Sequence, residues 1–222
     1  MAWLLVLAVA PGVFWLWYFR RRDRLRPEPR HLVGRVFAYG ALAAVLAGAL
    51  EAGIFPLLEL RRADLSSGVV AAGIVGLIEE SAKFAALYLG IYRHAQFDEV
   101  IDGILYGVAT SLGFATLENI AYVLEGGADV GVMRALLSVP GHAFFGAVMG
   151  FYVGLGKFSR RPQGWLAAAL LVPALSHAAY NAAIFTSTWV ALGVVPLVVL
   201  LWRVSLHYVR RAQVLDARRR PS

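Results

Sequence analysis

Leu77-Ile78-Glu79-Glu80-Ser81-Ala82-Lys83 sets two adjacent carboxylates and an ammonium inside an apolar run, 68–91. On insertion scales each charged side chain at the centre of a membrane-spanning helix costs roughly 2.5–3.5 kcal/mol, so three within five residues need partners and a purpose. On a helix Lys83 stands four residues after Glu79 and three after Glu80, and can reach either carboxylate. A structural ion pair that locks one helix against another needs a single acid. A second acid leaves a spare carboxylate, which is what a site needs.

The rest of the chain has the composition to bury such a run. It has 222 residues, 59% of them hydrophobic and only 16% charged, and a mean hydropathy of +0.66. These values exclude a soluble domain of ordinary composition and identify an integral membrane protein, with the lipid bilayer as its surroundings. Cysteine is absent, which rules out disulfides, thiolate zinc sites and cysteine nucleophiles. The net charge of +7 comes from arginines grouped in short blocks between apolar spans. Charge so placed sets membrane topology, and no nucleic-acid partner is expected.

Seven apolar spans follow one another at about 2–19, 36–60, 68–92, 100–124, 132–156, 165–185 and 189–208. The first has its arginines after the apolar stretch, whereas a secretory signal carries them before it, so it reads as a retained helix. No span alternates with period two, and several exceed the ~20 residues a membrane helix needs, so helices are favoured over a barrel. The expected fold is all-α, a polytopic membrane helix bundle of about seven transmembrane helices. With the N-terminus outside and the C-terminus in the cytoplasm, seventeen of the Lys and Arg residues fall inside. Only Arg61, Arg62 and Arg134 fall outside, an asymmetry that decides orientation. The chain reads as one membrane-embedded domain, 1–222, with its motifs in 68–185 and peripheral helices at 2–19, 36–60 and 189–208.

Polar residues on four of these helices share a depth. At ~1.5 Å of rise per residue, Glu79 and His142 lie about 15–16 Å from the outer ends of their spans, Glu118 about 10 Å, His177 about 13 Å and Asn181 about 8 Å. His142 stands four residues before Gly146, the first of a ladder with Gly150 and Gly154. Glycines at that spacing let a neighbouring helix approach closely, so His142 faces into the bundle. His177 and Asn181, four apart, share a face in the same way. A cavity that collects these groups is equipped for hydrolysis. A buried carboxylate beside another can take a proton from water, a histidine can protonate the leaving amine, and Asn181 can donate to the oxyanion. Taken singly, a membrane histidine or asparagine is equally an interhelical hydrogen-bond partner.

Glu79-Glu80-Ser81-Ala82-Lys83 resembles the EExxK motif of the PrsW family of intramembrane proteases. Asp102-Gly103-Ile104-Leu105-Tyr106-Gly107, followed by Gly113-Phe114 and Glu118-Asn119 with Tyr122, looks like its second block, in which a phenylalanine precedes a glutamate by four. His142 with Phe144 and Phe145 is similar to the third block, and His177-Ala178-Ala179-Tyr180-Asn181 to the fourth. The resemblance implies a glutamate-type, multi-pass protease of the bacterial plasma membrane, related to the CAAX-processing membrane proteases. Its substrate would be a single-pass membrane protein, an anti-sigma factor that it cuts first, on the outer side. Glu79, Glu80, Glu118, His142 and His177 would be catalytic, with Lys83, Asn119 and Asn181 in support. The CAAX-processing enzymes usually carry an arginine one place after the position of Lys83 and a histidine where Glu118 stands, so prenyl-protein processing is disfavoured.

Two other classes stay open. No cofactor is expected for a glutamate protease, whereas a zinc protease would need three ligands such as Glu118, His142 and His177 together with a water. The helical His-Glu-x-x-His signature is absent. A proton-linked transporter or a scaffold would also bury acids and histidines.

Overall fold

The structure, a computed structural model, describes residues 2–23, 26–58, 65–186 and 191–219. Among these residues it is all-helical, with no strand. The helices are α1 Ala2–Arg20, α2 Arg30–Leu58, α3 Leu65–Ile91, α4 Val100–Met133, α5 Val139–Lys157, α6 Pro162–Thr186 and α7 Val194–Arg219. The start of the span expected at 189, and Arg61 and Arg62 of the charge count, lie outside the described residues.

Among the described residues, four helical stretches are long and apolar enough to cross a membrane: Ala2–Arg20, Arg30–Leu58, Val100–Lys157 and Pro162–Phe185. The third has 58 residues and combines α4 and α5, since one crossing takes only ~20. The gap expected between the spans at 100–124 and 132–156 is compressed. Helix continues to Met133 apart from one break at Gly127 (φ 73°, ψ −159°), a left-handed conformation that only glycine adopts freely. A π-helical turn, Arg134–Ser138, then leads straight into α5.

α4 is the central helix, buried without interruption from Val100 to Thr116 and packed along α5, α2 and α1. α3 packs along α6 and α2. The glycine ladder of α5 meets a matching pair on α4. A Cβ on Gly146 would stand 2.5 Å from the Gly107 carbonyl oxygen, and one on Gly107 would stand 2.9 Å from the Gly150 Cα. In a bilayer, where apolar burial favours no particular helix pair, such backbone contact is a main source of association. The result is that His142, one turn before the ladder, lies opposite α4. α7 closes the far end, where its Asp216 carboxylate accepts from the Val100 (2.7 Å) and Ile101 (3.0 Å) amides and caps α4 from outside.

Candidate active site

Lys83 organises the site. Its side chain is fully buried, and its ammonium has three hydrogens to place. Nζ lies 2.7 Å from Glu80 Oε1, 3.2 Å from Glu79 Oε2 and 2.9 Å from His142 Nδ1. These three acceptors match the three donors. Nζ also sits 4.2 Å from the centre of the Phe114 ring, within range of a cation–π contact.

From these contacts the tautomer of His142 follows. His142 accepts the Lys83 proton at Nδ1, so its own proton is on Nε2, directed 3.1 Å to Glu118 Oε2. The same Glu118 oxygen accepts from Arg134 Nη2 at 2.9 Å, while Arg134 Nε donates to Asn119 Oδ1. His177 Nδ1 stands 2.9 Å from Glu80 Oε1 and 3.8 Å from Glu79 Oε2. Its ring stacks on Phe145 at 4.9 Å and meets the His142 ring edge-on at 5.1 Å. Ser111 Oγ donates to the His142 carbonyl at 2.7 Å, which fixes the first turn of α5 against α4.

A cavity of about 620 Å³ opens onto this cluster, lined among others by Glu79, Glu118, His142, His177 and Asn181. Glu80 is not part of that lining. Glu79 keeps 5% of its surface exposed and Glu80 none, so the two adjacent acids have different surroundings. With neutral imidazoles, the cluster holds three carboxylates, Glu79, Glu80 and Glu118, against two cations, Lys83 and Arg134. One negative charge is therefore left over for a proton, a metal ion or a reacting group.

The residues expected to meet from α3, α4, α5 and α6 do meet, with one exception. Asn119 turns away from the glutamate pair, donating to the Ala8 carbonyl of α1 at 2.8 Å while accepting from Arg134. Arg134 is the residue that sequence reasoning missed. In a list of charges it looks topogenic, and only the fold carries it back to Glu118. Ser138, hydrogen-bonded to Tyr180 at 2.8 Å on the cavity wall, likewise has no signature in sequence.

The donors have the chemistry of a zinc site, although the trio differs from the one expected. Glu79, His142 and His177 are all buried and offer one donor atom each within 4.8 Å of the others. One carboxylate and two imidazoles are ligands zinc accepts. Among the described residues Glu118 belongs to no such trio with the histidines; it pairs with Arg134. To ligate, His142 has to give up its bond to Lys83 or to Glu118.

A family profile described as PrsW family intramembrane metalloprotease matches residues 28–205. Protease PrsW of Bacillus subtilis (strain 168) is 36% identical over 217 residues, covering 94% of each chain. Protease PrsW of Geobacillus kaustophilus (strain HTA426) is 35% identical, over 95% of this chain and 92% of that protein. For Protease PrsW of Halalkalibacterium halodurans the identity is 34%, over 96% and 98%. No solved structure matches the chain. Similarity of this degree along nearly the whole length, in an all-helical chain with apolar spans and a buried acid–histidine cluster, shows that it belongs to the PrsW family of intramembrane proteases, multi-pass proteins of bacterial membranes.

Proposed function

We propose that this protease hydrolyses a peptide bond in a single-pass membrane protein of the anti-sigma-factor kind, near the outer face of the membrane, with Glu79 as the base that activates water. The observation that carries the reading is the unequal setting of the paired glutamates. Glu79 lines the cavity, and its Oε2 accepts from Lys83 Nζ at 3.2 Å. Glu80 is fully enclosed between Lys83 and His177. A base has to reach water in the cavity, and an anchor does not.

The other roles follow from the bonding. Glu80 holds Lys83 in place and fixes the His177 ring through Nδ1, leaving Nε2 as a lone pair that takes up the proton Glu79 removes from water and passes it to the leaving amine. Asn181, one turn further along α6 on the cavity wall, supplies an amide donor for the oxyanion of the tetrahedral intermediate. Lys83 adds positive charge where negative charge develops. Counting α3 and α7 as crossings gives seven spans, and the arginine asymmetry supports an outside N-terminus and a cytoplasmic C-terminus.

A second reading is favoured by the convergence of Glu79, His142 and His177 and by the family description. These three residues would then hold a zinc ion, which when bound supplies Lewis-acid polarisation of a carbonyl and lowers the pKa of a ligand water. The test is cleavage of a single-pass reporter by wild-type and Glu79→Gln protein in proteoliposomes, before and after exhaustive chelation. Cleavage that survives chelation but not Glu79→Gln supports the glutamate base. Loss on chelation with recovery on added zinc supports the metal, and full activity in Glu79→Gln sinks both.

A further inference from the structure

A second set of carboxylates is buried where the peptide chemistry does not reach. Asp23 lies in the connection between α1 and α2, Glu28 just before α2, and Glu99 and Asp102 at the start of α4. None of the four is more than 5% exposed. Asp102 precedes Glu118 by sixteen residues, about 24 Å along α4. The two groups sit at different ends of the bundle.

Local hydrogen bonds use part of this acceptor capacity. Asp23 Oδ2 accepts from the Glu28 amide at 3.0 Å. Asp102 Oδ2 accepts from the Asp98 (3.0 Å) and Glu99 (2.6 Å) amides, and the Glu99 side chain accepts from the Asp102 amide. Glu28 accepts the Tyr106 hydroxyl. With Asp216 on Val100 and Ile101, the amides that open α4 are consumed. Among the described residues, the second oxygen of Asp23, Oδ1, remains buried with no hydrogen-bond partner, while the Asp102 and Glu28 carboxyl groups lie within hydrogen-bonding reach of one another. Among the described residues, no Lys or Arg nitrogen comes within ion-pair distance of Asp23, Glu28 or Asp102. Negative charge held this way is strongly unfavourable unless something positive joins it.

The spacing suits one ion. Asp23, Glu99 and Asp102 each offer a donor atom within 4.8 Å of the other two, and two metal–oxygen bonds of about 2.0–2.6 Å span about 4–5 Å. All the donors are carboxylate oxygens, with neither histidine nor cysteine among them, a set that selects hard cations over zinc. We propose that Asp23, Glu99 and Asp102 form a binding site for a hard divalent cation of the Mg²⁺, Mn²⁺ or Ca²⁺ kind, which clamps the α1–α2 connection onto the start of α4.

The experiment is a Mn²⁺ titration of the full-length protein in detergent, stripped with chelator and desalted, with free ion read by electron paramagnetic resonance. Wild type should take Mn²⁺ out of the free signal, with Mg²⁺ or Ca²⁺ competing and raising the thermal midpoint. Asp23→Asn keeps an oxygen for the Glu28 amide, so it should retain its helical circular dichroism while binding at least about tenfold more weakly. Glu99→Gln serves as a second variant, and His177→Gln, which breaks the trio in the cavity, should bind as wild type does. Mn²⁺ that stays free at millimolar wild-type protein, or binding equal to wild type in Asp23→Asn and Glu99→Gln, overturns the proposal. So does loss confined to His177→Gln, which would put the ion in the cavity.

Discussion

Glu79 and Glu80 are neighbours in sequence with the same side chain, and their environments predict different mutants. Glu79→Gln removes the carboxylate that lines the cavity and leaves Lys83 bonded to Glu80 and His142. Reporter cleavage should fall by about 10²–10⁴-fold, the usual worth of a general base, while the thermal midpoint holds or rises as like-charge repulsion is relieved. Full cleavage would remove Glu79 from the mechanism. Lys83→Met should do the reverse. It strands two buried carboxylates and the Nδ1 of His142, and breaking a buried charge pair from one side costs about 3–5 kcal/mol. A denaturation midpoint unchanged from wild type would show that Lys83 does not hold the cluster together.

Helix packing determines whether the cluster forms at all, because Glu118 and His142 belong to different helices and meet only if α4 and α5 touch along their glycines. A leucine at Gly107 has no space, since even a Cβ there would lie 2.9 Å from the Gly150 backbone. Gly107→Leu should lower both the thermal midpoint and the cleavage rate by separating Glu118 from His142. Gly73→Ala on α3 is the control. A Cβ at Gly73 meets nothing within 4 Å, and alanine favours helix over glycine by up to about 1 kcal/mol, so the midpoint should hold or rise. Equal damage from the two substitutions would refute close backbone approach as the cause. At the other end of α4, Asp216→Ala removes two hydrogen bonds from the first turn. A loss of about 0.5–2 kcal/mol is expected, as for other helix caps, read as a lower denaturation midpoint.

At the scale of the whole molecule, orientation rests on charge. The seventeen-to-three division of Lys and Arg predicts that the break between α4 and α5 faces outward and the α5–α6 connection faces the cytoplasm. A cysteine in place of the exposed Glu125 should react with an impermeant reagent in intact cells, and one in place of Ser159 should react only after lysis. The opposite pattern would invert the molecule and place the cut on the cytoplasmic side. Cysteine is otherwise absent, so each variant reports on one position.

Much of this protein could be read from its residues alone. Long apolar runs broken by arginine blocks leave helices in a bilayer as the economical solution, because only there are all backbone hydrogen bonds closed within the segment. Charges at 79, 80 and 83 in one run, and polar residues at a shared depth in three others, are properties of spacing along a helix, which is local. Partnership across helices is not local. That Lys83 bonds His142 as well as both glutamates, that Glu118 answers to Arg134, and that Asn119 turns to α1 all depend on which helix faces register together. So does the gathering of Asp23 with Glu99 and Asp102 from segments some 75 residues apart. Likewise the different surroundings of Glu79 and Glu80 lie in the roughly 100° that separates successive residues around a helix. Both meet Lys83, but only Glu79 lines the cavity while Glu80 is enclosed against His177, and only the packed bundle decides which.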